Sequence, residues 1–167
     1  FCLSRGLGDV YKRQVLPIIW GRLPRTRWVI FGMRPVASVR DLARDPRIEV
    51  TGYLPGADAE LRLLAEADVC ILPLLSGGGT KLKLLTAMSM GKAIVTTPTG
   101  MSGVPLHHGE HVLVASSPQR FADQTVALLS DHGLRNRLGS AARACAVKSY
   151  DWGAIGRRMA RIYAADA

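Results

Sequence analysis

From Val15 onward, short continuous apolar runs alternate with longer amphipathic stretches, and this alternation restricts the fold more than any other feature. The runs are Trp28 to Gly32 (WVIFG), Ile48 to Thr51, Asp68 to Pro73 (DVCILP), Ala93 to Thr97 and Val112 to Ala115. Each is read as a continuous rather than an alternating run, the pattern expected of a strand buried on both faces. Between them lie Val36 to Arg44, Ala57 to Ala67, Thr80 to Met90 and Pro118 to Ser130, with apolar residues three and four apart, as on one helix face. Val15 to Leu23 reads as the tail of a further helix. After the last strand the pattern is purely helical, over Asp131 to Lys148 and Asp151 to Ala164. Such units predict an α/β fold: a doubly wound parallel sheet covered by helices, with closing C-terminal helices.

Composition adds mainly exclusions. A chain of 167 residues, 48% hydrophobic, is long enough for one ordinary core and is neither disordered nor collagen-like. No apolar run approaches the roughly 18 to 20 residues that span a bilayer. Cys2, Cys70 and Cys145 are odd in number and without paired spacing, which predicts a reducing, cytoplasmic setting and thiols used for packing. The net charge of +9 favours anionic partners, yet most of the excess is Arg scattered at helical spacing, which a solvated basic face explains as well. No aromatic stacking platform accompanies the basic residues, so nucleic acid is not an expected partner. Residues 1–14 (FCLSRGLGDVYKRQ) begin with Phe and show no periodicity; they are expected to be a non-native or disordered leader, with the domain proper over 15–167.

Open parallel sheets bind ligands outside the carboxyl ends of their strands, so the turns leaving the strands are where chemistry is sought. Gly32, Gly52, the run Gly77 to Gly79, and Gly100 with Gly103 lie in such turns. The third is the most informative. Gly77, Gly78 and Gly79 follow a buried strand and lead into a helix reading TKLKLLTAMSMGK. Glycines let backbone amides approach an anion, and a helix N-terminus offers unpaired N–H groups with a partial positive charge. Lys81 and Lys83 in the first helical turn oppose the helix dipole unless a bound phosphate offsets them. The segment reads as a phosphate cradle, although a flexible loop explains three glycines equally well, and neither the Walker pattern nor GxGxxG is present.

The stretch DVCILPLLSGGGTKLKLLTAMSMGKAIVTT resembles the donor-binding heart of the group 1 retaining glycosyltransferases of the GT-B fold. Upstream, WVIFGMRP and RIEVTGYLPGADAELRLLAEADV resemble that family's strands, glycine turns and intervening helix. Downstream, TGMSGVPLHHGEHVLVASSPQRFADQTVALLSD and RNRLGSAARACAVKSYDWGAIGRRMARIY resemble its last strand and closing helices. The resemblance covers Val15 to Tyr163. It implies the Rossmann-like, carboxyl-terminal, nucleotide-sugar-binding half of a two-domain enzyme, a fragment whose amino-terminal acceptor-binding half and upstream phosphate-clamping Arg and Lys are missing. By the same resemblance, the donor diphosphate lies against Gly78, Gly79, Thr80 and Lys81 with Leu82 nearby. The base lies at Gly52, Tyr53 and Leu54, the ribose at Thr86, and the loop of Gly100, Ser102 and Gly103 near donor or acceptor. No metal or other cofactor is implied, the nucleotide-sugar being substrate, and catalytic residues are not assigned.

Departures from the family pattern matter as well. The family often carries glutamates at the positions of Gly78 and Thr86, and a Glu at that of Ser102. A hydroxyl at Thr86 cannot accept the paired hydrogen bonds that a carboxylate accepts from a ribose. Weaker or differently anchored donor binding is therefore expected, and the isolated chain is expected not to turn over.

Other constellations have plainer readings. His107, His108, Glu110 and His111 suggest a metal site by composition, but LHHGEHVLV matches the turn before the family's last strand. Asp68 and Asp123 have no basic partner at catalytic spacing, and Asp151 is a natural N-cap. Tyr150 and Trp152 are expected to anchor packing. Arg157, Arg158 and Arg161 lie opposite Met159, Ile162 and Tyr163 on the last helix, either a solvated flank or a membrane-surface face suited to a lipid-linked acceptor at the inner membrane. The leading function is hexosyl transfer from a nucleotide-sugar to a glycan precursor. A degenerate, non-catalytic nucleotide-binding module and another GT-B enzyme, such as a nucleotide-sugar epimerase, are the alternatives.

Overall fold

The structure, a computed structural model, describes residues 11–77, 79 and 81–165. A π-helical turn, Tyr11–Val15, runs into helix α1, Leu16–Arg22, followed by strand β1, Trp28–Phe31. Helix α2, Ala37–Arg40, tightens into a 3-10 turn, Asp41–Arg44, before strand β2, Ile48–Gly52. Helix α3, Ala57–Glu66, strand β3, Val69–Leu72, helix α4, Leu82–Ser89, and strand β4, Ala93–Thr96, come next. A short helix α5, Pro98–Met101, and strand β5, Leu113–Val114, complete the alternating part. Helices α6, Pro118–Ser130, α7, His132–Tyr150, and α8, Trp152–Ala165, close the chain.

Among the described residues every strand pairing is parallel, in a two-stranded sheet of β1 with β2 and a three-stranded sheet of β3 with β4 with β5 in that order. The two sheets share both cores through β1. The apolar residues of β1, β3, β4 and β5 divide between those cores. Strand β2 alternates instead, Ile48 and Val50 feeding one core with Glu49 exposed between them, which corrects its reading as a continuous run. Ile71, Ala93 and Val95 join Val15, Leu16, Ile19, Phe121 and Leu128 on one side. Cys70, Leu72 and Ile94 join Leu64, Leu84, Met88, Ala142 and Ala146 on the other. Helices α1 and α6 thus cover one face and α3, α4 and α7 the other, which is why strands other than β2 read as unbroken apolar runs. The α/β, parallel-sheet, helix-covered expectation holds.

The helix ends account for part of the basic excess. Lys92 Nζ donates to Ala65 O and Ala67 O, at 2.6 and 2.9 Å, closing the carboxyl end of α3. Arg135 Nη1 donates to Leu128 O and Leu129 O, at 2.8 and 2.9 Å, at the end of α6, and Arg143 donates to Ser89 O at the end of α4. Cations there satisfy orphan carbonyls and complement the dipole. At the other ends, Asp131 Oδ1 accepts from Leu134 N at 2.8 Å and Asp151 Oδ1 from Gly153 N at 2.9 Å. Asp131→Ala is expected to cost about 1 kcal/mol, the usual magnitude for a lost N-cap, measured as a shift of the urea midpoint.

Three further expectations need correction. Asp123 does have a basic partner, Arg22 at 2.7 Å, which ties α6 to α1, and Asp68 stands 3.8 Å from Arg135. Tyr150 packs against the second core, but Trp152 is 84% exposed and anchors nothing. Together with Met159, Ile162 and Tyr163 it leaves the apolar side of α8 in solvent.

Candidate functional site

Within each sheet parallel pairing puts the carboxyl ends of the strands together, and Lys83, reaching from the helix after β3 to Phe31 at the end of β1, brings the two sets of turns side by side as one edge. Gly32 continues β1, and its N–H donates to Gly52 O at 3.1 Å, joining the turns that leave β1 and β2. Gly52, at φ +70, has the left-handed backbone that favours glycine. After it Tyr53 is 64% exposed, while Leu54 packs partly against the second core. Thr96 Oγ1 donates to Leu72 O at 3.0 Å, and Thr97 Oγ1 donates to Leu74 O, so the loop after β4 is tied to the loop after β3. Thr97 also accepts from Gly100 N at 3.1 Å, capping α5. A Cβ on Gly100 would collide with Thr96 Oγ1, so only glycine permits this approach. Ser102 and Gly103 follow, both exposed.

The glycine loop sits at the centre of this edge. Gly77 and Gly79 take φ of +127 and +71, and a Cβ on Gly79 would meet nothing within 4 Å. Gly78 and Thr80, both assigned to the diphosphate, lie outside the described residues. The helix begins at Leu82 rather than Thr80, so Lys81 precedes its first turn instead of lying in it. Lys81 Nζ turns back to donate to Gly77 O at 2.7 Å. That bond removes the conflict with the helix dipole, because the charge lies over the loop and not over the helical amides. Leu82 is 75% exposed beside it.

Thr86 lies one turn further along α4, half-buried, and its Oγ1 donates to Leu82 O at 3.0 Å. With its hydrogen committed to the helix, the hydroxyl can offer a ligand only acceptor lone pairs. Lys83 takes a different course from Lys81. Its Nζ stands 4.8 Å from the centroid of the Phe31 ring, and a Cβ on Gly32 would lie 3.7 Å from that ammonium. Lys83 thereby brings the start of α4 to the end of β1, a placement that its position in the sequence did not disclose.

The histidine cluster lies on the turn leading into β5. His108 Nδ1 accepts from Val114 N at 2.8 Å, and His111 Nδ1 accepts from His107 N at 3.2 Å. These bonds use ring nitrogens to close the turn. Glu110 stands 3.6 Å from His111 Nε2. Cys70 is buried in β3, and burial pushes its thiol up, the opposite of what a nucleophile needs. Cys145 is half-buried against the second core.

The edge therefore combines exposed glycine backbone, a helix start, two lysines and a buried support of threonine hydrogen bonds. That is the equipment for an anionic ligand with a hydrogen-bonding apolar body. Comparison with known proteins gives this arrangement a lineage. A model of the glycosyl transferases group 1 matches residues 9–131. A phosphatidyl-myo-inositol mannosyltransferase of Mycobacterium leprae is 33% identical over 102 residues, covering 60% of this chain and 27% of the relative. Its Mycobacterium tuberculosis counterpart is 27% identical over 156 residues, 89% of this chain and 41% of the relative. The chain thus spans less than half the length of these curated relatives. Among solved structures, the C-terminal domain of a glycosyl transferase group 1 family protein from Francisella tularensis superposes with a TM-score of 0.72 at 18% identity, covering 90% of this chain and 83% of that one. Anabaena HepE in complex with UDP and glucose superposes at 0.76 with 16% identity, covering 98% of this chain and 47% of that one.

Proposed function

The chain belongs to the group 1 glycosyl transferases, and on that premise we propose that it is the donor-binding half of a nucleotide-sugar-dependent, retaining hexosyltransferase. The observation that carries the reading is the edge itself, where threonine hydrogen bonds tie the loop after β4 to the segment leading into the glycine loop, and Lys81 folds back over that loop at the start of α4. The diphosphate is assigned to Gly78, Gly79, Thr80 and Lys81, with Leu82 beside it. The ribose is assigned to Thr86, the base to Gly52, Tyr53 and Leu54, and the loop of Gly100, Ser102 and Gly103 to the donor or acceptor side. Support comes from the UDP held by the HepE neighbour, whose fold this chain shares.

In this reading, glycosyl transfer leaves negative charge on the departing diphosphate. Loop amides, the start of α4 and Lys81 stabilise that charge without a required metal. The acceptor, a glycan precursor or lipid-linked molecule at the cytoplasmic membrane face, is held by an amino-terminal half. This chain alone binds donor and does not transfer. The likeness to the mycobacterial phosphatidyl-myo-inositol mannosyltransferases supports a lipid-linked acceptor.

Thr86 favours one competing reading, a non-catalytic nucleotide-binding module, because a single hydroxyl stands where the family often carries a carboxylate that accepts paired hydrogen bonds from the ribose. Titration calorimetry of the chain with UDP, GDP and ADP, in wild type and Thr86→Glu, tests both. Selective affinity for one diphosphate, strengthened several-fold by the carboxylate, is the expected result. Unchanged or weaker binding in Thr86→Glu removes the ribose assignment, and no affinity for any diphosphate removes the donor site.

A further inference from the structure

Lys83 is a cation at this edge that the donor assignment leaves without a role. Its backbone lies in the first turn of α4, where a positive charge opposes the helix dipole. Its half-buried side chain runs to the end of β1, over the Phe31 ring and beside Gly32, whose N–H holds Gly52 O. The stem borders a small hollow shared with Phe31, Glu60, Leu64, Cys70 and Ala87. Glu60 shares that hollow without pairing. Among the described residues, the ammonium has no carboxylate within ion-pair distance and no hydrogen-bond acceptor, its ring contact apart. An ammonium with open donor positions on a half-buried lysine, fixed where two ligand-facing turns meet, is arranged to receive an acceptor oxygen from outside the protein.

We propose that Lys83 is a further donor-binding residue, whose ammonium donates to an oxygen of the bound nucleotide where the β1 and β2 turns meet. The inference rests on the donor-binding reading above and deepens it. An ammonium only donates, so its partner is an acceptor oxygen: a phosphate oxygen, a ring carbonyl of the base or a ribose hydroxyl. Lys83 stands beside Gly32, whose N–H holds Gly52 O at the turn to which the base is assigned. There a base-carbonyl partner makes Lys83 select uracil or guanine over adenine, which has no ring carbonyl, whereas a phosphate or ribose partner gives no base preference.

The test is calorimetric titration of the full chain and of Lys83→Met, Lys83→Gln and Lys83→Arg with UDP, GDP, ADP and inorganic pyrophosphate. Thermal unfolding is followed alongside to confirm that each variant is folded. Lys83→Met and Lys83→Gln are expected to weaken the preferred diphosphate about tenfold or more, the usual loss for a charge-assisted hydrogen bond, while Lys83→Arg retains most of the affinity. A loss confined to the oxo-base nucleotides identifies a base carbonyl, a loss for all three nucleotides but not pyrophosphate a ribose hydroxyl, and an equal loss for pyrophosphate a phosphate oxygen; any of these upholds the proposal. Wild-type affinity in folded Lys83→Met and Lys83→Gln overturns it while leaving the donor site standing. Equal losses in all three variants, matched by lower melting temperatures, make Lys83 structural and also overturn it. Absence of any nucleotide binding by the wild type removes the donor reading and Lys83 with it.

Discussion

Gly79→Trp abolishes nucleoside diphosphate binding, a loss of at least about a hundredfold, and leaves the fold intact. The two halves of that expectation have separate grounds. A Cβ on Gly79 meets nothing within 4 Å, so an indole there extends into the open space of the edge and not into the core. The backbone at φ +71 adds a strain of order 1 to 3 kcal/mol for a non-glycine residue, which a packed domain can absorb locally. Gly109 supplies the control: it has φ +80, equally empty surroundings and a place in the turn before β5, away from the glycine loop. Gly109→Trp therefore carries the same strain and is expected to bind as wild type does. Calorimetry on the pair reads the difference directly, and equal affinity in both variants would take the glycine loop out of the site.

Gly139→Ala and Gly156→Ala make the same chemical change within helices and are expected to move stability in opposite directions. Gly139 lies where α7 crosses the turn after α4, and its added Cβ would fall inside contact distance of Gly91 O and 2.9 Å from Gly91 C. That turn has little room to retreat, because Gly91 is itself held at φ +66 and Arg143, one turn further along α7, is bonded to Ser89 O. Overpacking of this kind costs about 1 to 3 kcal/mol, which outweighs the gain in helix propensity. Gly156 on α8 is exposed, with nothing within 4 Å of its added Cβ, so alanine there stabilises by about 0.5 to 1 kcal/mol. Urea denaturation should show the midpoints displaced to opposite sides of wild type. A midpoint for Gly139→Ala at or above the wild-type value would mean that α7 does not seat on Gly91.

Strands β3 and β4 were legible because burial on both faces makes consecutive residues feed different cores, whereas β2 alternates, with Glu49 exposed between Ile48 and Val50. Helix α6 was legible to the residue, since Ser117, Pro118 and the apolar spacing mark its start. Helix α5 was not read, being only one turn long, although Thr97 before Pro98 is a start signal of the same kind. Long-range partners were beyond the sequence: Arg22 and Asp123 are 101 positions apart, and nothing local announces their pairing. Along the edge, the glycine turns were visible as composition. The opposite courses of Lys81 and Lys83 were not, because they depend on the helix starting at Leu82 and on Gly32 leaving room for an ammonium. The exposure of Trp152 was missed for a related reason, since an aromatic residue beside an N-cap reads as packing until its neighbours are known.

The central claim is that the carboxyl-end edge of the parallel sheets receives a nucleoside diphosphate, and backbone amide chemical shifts test where binding occurs as well as whether it does. On titrating the nitrogen-15-labelled chain with UDP and GDP, the account expects saturable shifts at Gly32, Gly52, Tyr53, Gly79, Lys81, Lys83 and Gly100, with His108, Gly109 and the α8 amides unmoved. Shifts confined to the Arg157 to Arg161 segment or the histidine turn, or a folded chain with no shift at millimolar nucleotide, would contradict it.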